Sequence, residues 1–278
     1  MTTLPPPSRE EEALARHREE LRKRFPLPEP RPRKPRKAVA GALLAMLLAA
    51  GLGWLDPAYH RESHASAVGE RRVLALADGS RMTLDSNSRV TVEWHLRSRR
   101  VELQAGQALF DVSKTVFRPF EVEAGTTRVR VLGTLFSVDR LDQGARVTLV
   151  RGKVDVDTAD GRHVQLAPGQ QVETGPGRHL QPLGVDAEAA IAWKDNRLIF
   201  DRTPLADALA RIQRYRTAPI RLDDPSLAGL PITGVFDSSK VEDLLALLPG
   251  ILPLSLHSES DGTLHVRRKS GKNNRASR

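Results

Sequence analysis

Hydrophobic and polar positions along the chain follow three patterns. Near the N-terminus, Leu14, Leu21 and Phe25 are spaced seven and four residues apart, so a helix predicted over residues 8–25 carries them on one narrow stripe. Residues 38–55 form a continuous apolar run of 18 residues. Farther along, apolar and polar residues alternate over short segments, which predicts β-strands, and toward the C-terminus these segments are interspersed with amphipathic helices.

The apolar run at 38–55 predicts a transmembrane helix, because about 20 apolar residues span the hydrocarbon core of a bilayer. Five basic residues lie directly before the run: Arg31, Arg33, Lys34, Arg36 and Lys37. By the positive-inside rule they predict a single pass through a bacterial inner membrane, with a cytoplasmic N-terminus and periplasmic C-terminal domains. A cleaved signal peptide is the alternative, since Ala65-Ser66-Ala67 has the form of a cleavage site; the long leading segment favours an uncleaved anchor.

Residues 1–37 are predicted to be a cytoplasmic tail that combines the helix at 8–25 with a spacer rich in proline and arginine. A stripe of three apolar residues buries too little surface to fold alone. The helix is therefore predicted to become ordered on a cytoplasmic protein partner, with Leu14, Leu21 and Phe25 as the contacts. A solvated, charged stalk without a partner is the alternative interpretation.

After a predicted linker at 56–70, residues 71–175 contain about ten to twelve short alternating segments separated by turns. This pattern predicts an all-β module, either a sandwich, a barrel or a short solenoid. Four of the seven phenylalanines are predicted to form its packed core, with a ligand pocket as the less favoured reading: Phe110, Phe117, Phe120 and Phe136.

Residues 191–269 follow a second predicted linker at 176–190 and form a small α+β domain with a repeated strand–helix–strand order. The first helix is predicted from Pro204 to Arg216, with Thr203 as its N-cap. The second is predicted from Lys240 to Leu248. Two such βαβ-like units of about 35 residues are the size of common supersecondary motifs. Residues 270–278 are predicted to be a basic, disordered tail.

Sixteen residues of the β module follow one another in a recognisable order: Asp78, Gly79, Ser80, Gly106, Phe110, Val112, Pro119, Phe120, Val122, Gly133, Thr134, Phe136, Val138, Gly152, Gly169 and Gln170. Through these landmarks, about 100 residues of the module resemble the FecR family of membrane-spanning sigma-factor regulators. Residues 191–269 resemble the short N-terminal domain that secretins and TonB-dependent receptors share. The landmark residues are predicted to be architectural, forming turns and core.

The FecR resemblance implies signal transduction by binding. A TonB-dependent outer-membrane receptor for a substrate such as an iron chelate would present its signalling domain to residues 71–269. The tail at 1–37 would then hold or release an extracytoplasmic-function sigma factor, and an intramembrane protease often takes part in this family's switch. The family's cytoplasmic region is longer and carries tryptophan, so none of its partner-contacting residues is carried over. The alternative is an envelope-anchored scaffold that docks an outer-membrane complex.

Net charge does not make this chain a nucleic-acid binder. The formal charge is +9, yet residues 1–37 carry +5, residues 267–278 carry +6 and the stretch between carries −2. The basic residues are therefore confined to the two ends, and no direct contact with nucleic acid is predicted.

No catalytic, cofactor or metal site is predicted either. The chain has no cysteine, which excludes a thiol nucleophile and a Cys-ligated metal. His60 and His64 are four residues apart but lack an evident third ligand, so they are assigned to the linker. Two carboxylate pairs are predicted to be solvent-facing charges: Asp155 with Asp157, and Asp223 with Asp224.

Overall fold

The structure is a computed structural model that describes residues 9–25 and 36–269. The chain divides into an N-terminal unit, Met1–Trp54, and a C-terminal unit, Leu55–Arg278. The prolines of the predicted spacer between 26 and 35 and the basic tail at 270–278 lie outside the described residues, as do Arg31, Arg33 and Lys34.

The N-terminal unit contains two helices, α1 (Arg9–Arg24) and α2 (Arg36–Leu55). The predicted helix at 8–25 is confirmed by α1, whose first turn is acidic and whose last turn is basic, as the helix dipole favours. Arg36 and Lys37 begin α2, which includes the apolar run. Among the helices of the described residues, none combines the length and apolarity needed to cross a membrane.

The C-terminal unit begins with a β-sandwich of two seven-stranded sheets. Sheet A has the order β1 (Ala58–Ala65), β4 (Arg89–His95), β5 (Arg99–Ala105), β7 (Phe120–Ala124), β8 (Thr127–Val131), β11 (Val154–Thr158), β12 (His163–Leu166). Sheet B has the order β14 (Leu183–Gly184), β13 (Gln170–Glu173), β10 (Gly144–Arg151), β9 (Leu135–Leu141), β6 (Gln107–Asp111), β3 (Arg81–Leu84), β2 (Arg72–Ala75). Neighbouring strands are antiparallel except β5 and β7.

Both sheets contribute apolar side chains to one shared core, which is the sandwich form of the predicted all-β module. Along β4, for example, Val90, Val92 and Trp94 are buried at alternate positions. The predicted linker at 56–70 is wrong, because β1 lies within it and pairs with β4. The sequence of β1 lacks the apolar alternation of a half-buried strand, because β1 is an edge strand and most of its residues are exposed.

A small α+β part follows the sandwich, as the sequence predicts. Its elements are β15 (Arg197–Pro204), α4 (Leu205–Gln213), β16 (Ile220–Leu222), β17 (Pro231–Asp237), α5 (Val241–Ile251), β18 (Leu254–Ser258) and β19 (Leu264–Arg268). The predicted βαβ pairing differs from the structure, because each strand–helix–strand run places its two strands in different sheets. β15 pairs with β17, and β19 lies between β16 and β18. The two helices pack against these sheets through a second apolar core.

The ends of two predicted segments also differ from the structure. Strand β15 continues to Pro204, so α4 begins at Leu205 with Pro204 at its N-cap, and Thr203 is not the cap. The register between β15 and β17 shifts between Phe200 and Thr203, and pairing resumes at Thr203. The strand therefore continues beyond the residues that show the apolar pattern. The second predicted linker, at 176–190, contains β14 and a short helix, α3 (Ala187–Ala190).

Candidate signalling surfaces and the junction within the C-terminal unit

The three residues predicted to contact a partner lie on the surface of α1 or directly after it. Leu14, Leu21 and Phe25 are 69%, 48% and 70% exposed. The backbone N–H of Phe25 donates to the carbonyl of Leu21 at 2.9 Å, which continues the helical turn. No residue of α1 is buried. The stripe is therefore an accessible apolar surface on an otherwise charged helix.

The Asp78-Gly79-Ser80 landmark forms the turn between β2 and β3. The Asp78 carboxylate accepts bonds from the Ser80 backbone at 2.9 Å and the Ser80 hydroxyl at 2.7 Å. It also pairs with Arg99, whose side chain is only 2% exposed. Burial opposes ionisation of Asp78, but the bonds from Ser80 and Arg99 outweigh it and lower the pKa. The landmark thus ties sheet B to β5 of sheet A.

The aromatic landmarks form the centre of the sandwich. Phe110 stacks on Phe136 with ring centroids 5.2 Å apart and lies 5.8 Å from Phe120 at a tilt. All three are fully buried. The prediction that Phe117 belongs to this core is wrong, because it lies on the loop between β6 and β7 and is 91% exposed. Its neighbour Pro119 ends the same loop, where its carbonyl accepts the N–H of Arg99.

The glycine landmarks mark close approaches of the chain. Gly106 has φ near +78°, and a Cβ there would lie 2.2 Å from the hydroxyl oxygen of Ser88. Gly152 has φ near +102° and faces Thr134, whose hydroxyl donates to a neighbouring carbonyl at 3.0 Å. Both turns therefore require glycine. Gly133 and Gly169 lie in the turns before β9 and β13.

A polar junction joins the sandwich to the α+β part of the C-terminal unit. Tyr215, which follows α4, donates its hydroxyl to the Asp85 carboxylate at 2.9 and 3.0 Å. Arg214 donates to Gln107 at 2.8 Å and to Asp139 at 2.5 Å. Asp85 is 2% exposed and Asp139 is 4% exposed. We refer to Asp85, Gln107, Asp139, Arg214 and Tyr215 as the junction.

Burial and charge shift the ionisation of the junction residues. Burial raises the pKa of Asp85 to about 6, against bonds from the Ser86 backbone and Tyr215. Burial, followed by the charge of Asp85, raises the pKa of Tyr215, which keeps the phenol protonated as a donor. Burial alone would lower the pKa of Arg214, but the charge of Asp139 outweighs it and raises the pKa. The raised pKa brings the ionisation of Asp85 close to neutral pH.

Sequence reasoning did not identify the junction. Asp85 lies in a polar turn, and Tyr215 follows the last turn of an amphipathic helix, so each resembles an ordinary surface position. The two residues are 130 positions apart. The one available signal was an Arg-Tyr pair directly after an apolar helix face, which is too common to assign a contact.

The remaining candidate residues form local polar contacts. His60 and His64 flank Glu62 on β1, with nitrogen–oxygen distances of 2.9 and 3.4 Å. Asp223 is not simply solvent-facing, because it bonds to His265 at 2.8 Å and to Arg267 at 2.6 Å. Within residues 9–25 and 36–269, no group of three His, Cys, Asp or Glu residues could hold a metal ion.

Comparison with known proteins identifies part of this architecture. Residues 62–155 match the family model described as FecR protein, so the chain contains a FecR domain that extends from β1 into β11. No curated protein matches the chain.

Two crystal structures resemble most of the chain. They were determined at resolutions of 2.50 and 1.65 Å, and each is of a candidate anti-sigma factor from Parabacteroides distasonis ATCC 8503. The first is 25% identical with a TM-score of 0.66, covering 76% of this chain and 100% of its own. The second is 24% identical with a TM-score of 0.66, covering 75% of this chain and 100% of its own, and it supports the fold alone.

Proposed function

We propose that the chain is an inner-membrane signal transducer that binds an extracytoplasmic-function sigma factor and regulates it by binding, without catalysis. The observation that carries this proposal is the FecR domain at 62–155, together with the likeness of most of the chain to a candidate anti-sigma factor.

Sigma-factor binding is assigned to the apolar stripe of α1. Leu14, Leu21 and Phe25 are exposed, and a partner that buried them would gain about 1.5–3 kcal/mol for each side chain before the entropic costs of association. Charged residues at both ends of α1 would keep the helix soluble when it is free. A short apolar helix of this kind suits a groove on a protein partner.

The membrane anchor is assigned to residues 38–55. The support is the 18-residue uncharged run and the basic cluster that precedes it in the sequence. This placement puts the C-terminal unit in the periplasm. Fusion of a periplasm-active reporter after Tyr59 tests it, because activity requires that Tyr59 be exported; activity of a cytoplasm-dependent reporter at the same position would refute the placement.

The C-terminal unit is proposed to receive the signal from a TonB-dependent outer-membrane receptor, of the iron-chelate uptake type. The junction supports this role, because two charge-assisted contacts connect the α+β part to the sandwich. Tyr215 bonds to Asp85, directly after β3, and Arg214 bonds to Asp139 on β9. A receptor domain that binds one part can therefore change the free energy of the other.

Co-purification of the full chain with a sigma factor encoded beside it tests the proposal. The variant Leu14→Ala, Leu21→Ala, Phe25→Ala should lose at least tenfold in affinity. The matched control is Arg16→Ala, Glu19→Ala, Lys23→Ala, which changes three residues on the opposite side of the helix at 100° per residue. The control should bind as the parent chain does. Equal binding by parent and stripe variant would contradict the assignment.

A scaffold that docks an outer-membrane complex is the second candidate function. It is favoured by the hydrogen bonds that join the sandwich to the α+β part at the junction. Co-purification separates the two functions. If the chain is a scaffold, it retains an outer-membrane protein through its C-terminal unit and retains no sigma factor.

A further inference from the structure

A cavity of about 70 Å³ lies beside the junction, between sheet B and the α+β part. A volume of about 10–15 Å³ holds one water molecule, so this cavity has space for several waters or one small polyatomic ion. Its lining includes four arginines, one from the sandwich and three from the α+β part: Arg146, Arg197, Arg211 and Arg214. Two carboxylates, Asp85 and Asp139, also line it.

Two of these arginines are already engaged by carboxylates. Arg214 bonds to Asp139, and Arg146 lies 3.5 Å from Asp139 and 2.6 Å from Glu173. The guanidinium groups of Arg197 and Arg211, in contrast, form no hydrogen bond or ion pair with the residues that the structure describes. The cavity wall therefore carries two guanidinium groups, each with five N–H donors and no acceptor.

The positive charge of Arg211 is only partly compensated by carboxylates. Although the residue as a whole is exposed, burial of its guanidinium lowers the pKa, and the charges of Arg146 and Arg214 lower it further. Asp139 and Asp207 oppose this effect, but Asp139 is shared with the other two arginines. A bound anion would relieve the repulsion among the three guanidinium groups.

We propose that the cavity binds a small oxyanion, held by the guanidinium groups of Arg197 and Arg211. Planar guanidinium groups match the oxygen pairs of phosphate and carboxylate, and such charge-assisted bonds are strong where water is partly excluded. The cavity volume suits a free ion or a single carboxylate group rather than a chain segment. This site is independent of sigma-factor binding and goes beyond the proposed function.

Oxyanion binding would also connect two elements of the α+β part. Arg197 begins β15 and Arg211 lies in the last turn of α4, whereas Arg146 of β10 is already paired with carboxylates. An ion held by Arg197 and Arg211 binds only when β15 and α4 are packed together, so it stabilises that arrangement by mass action. The stability of the α+β part would thereby depend on anion concentration.

Calorimetric titration of the full chain in detergent with inorganic phosphate tests the proposal, with sodium chloride at matched ionic strength as reference. We expect saturable binding of one phosphate per chain and a rise in melting temperature with phosphate but not with chloride. Arg211→Gln and Arg197→Gln should each weaken binding at least tenfold. Neither change removes a side-chain hydrogen bond or ion pair with a described residue, so both variants should fold, which circular dichroism checks.

Arg221→Gln is the matched control, because Arg221 is exposed on β16 and does not line the cavity. It lowers the net charge by the same amount and should leave phosphate affinity unchanged. Acetate in a parallel titration distinguishes the sources: preference for phosphate indicates a free tetrahedral anion, and preference for acetate indicates a carboxylate. Absence of saturable binding by either ion, or equal weakening by Arg221→Gln, would overturn the proposal.

Discussion

Replacing Asp85 by asparagine should change how the stability of the C-terminal unit depends on pH. The amide has nearly the same shape and can still accept the hydroxyl of Tyr215, but it does not ionise. In the parent chain, burial raises the pKa of Asp85 from the ordinary value of 3.8 to about 6. At about 1.4 kcal/mol for each pKa unit, this difference corresponds to about 3 kcal/mol.

The direction of the effect follows from proton binding. Between pH 3.8 and about 6 the folded protein holds the Asp85 proton more often than the unfolded chain does. The contribution of Asp85 to stability is therefore fully present below pH 3.8 and is lost as the pH rises through 6. Relative to Asp85→Asn, the free energy of unfolding of the parent should fall by about 2–3 kcal/mol between pH 4 and pH 7.

Urea unfolding of the C-terminal unit from pH 4 to pH 7 measures this difference. Both apolar cores belong to this unit, so the unit can be studied alone. Tyr215→Phe serves as a second variant. The hydrogen bond from Tyr215 lowers the pKa of Asp85, so its removal should raise that pKa further and steepen the pH dependence of stability. If the free energies of unfolding of the parent and of Asp85→Asn differ by the same amount at every pH, the reasoning is refuted.

Three further substitutions test the remaining parts of the structure. Arg99→Ala leaves a mostly buried carboxylate without its partner and should lower the free energy of unfolding by about 3–5 kcal/mol in urea titrations. Phe117→Ala should change it by less than about 0.5 kcal/mol, whereas Phe110→Ala should cost about 3–5 kcal/mol; equal effects would contradict the exposed placement of Phe117. Gly51→Leu with Gly53→Leu stiffens the proposed membrane helix and should slow its intramembrane cleavage, followed by immunoblot of the released fragment; unchanged processing counts against that step.

Strands with one buried face were predictable from the sequence, and edge strands were not. In β4 the alternation of Val90, Val92 and Trp94 reflects burial of one face in the core. In β1 both faces are polar because only one edge is paired and most side chains stay exposed, so His60 and Glu62 give no period-two signal. Phe117 shows the converse error, since an aromatic residue between two core residues suggests burial, while its loop carries it outward.

The candidate sites divide by the range of the interactions that create them. The α1 stripe depends on spacing within one helix, so periodicity alone located it. The junction depends on contacts between Asp85 and Tyr215, which the fold brings together only after the sandwich and the α+β part have each formed. Neither residue type nor local pattern distinguishes such a pair from two surface residues.

Under the proposed function, the junction also limits how large a signal the C-terminal unit would transmit. Hydrogen bonds to charged groups contribute about 1.5–3 kcal/mol each, and the Tyr215–Asp85 and Arg214–Asp139 contacts are two of them. A receptor domain that disrupted both could shift the balance between packed and separated parts by about 3–6 kcal/mol, which exceeds the 1–3 kcal/mol typical of allosteric coupling. A receptor needs to weaken only one of the two contacts to give a usable change. Because Asp85 loses its charge as the pH falls through about 6, the strength of its contact with Tyr215 depends on pH.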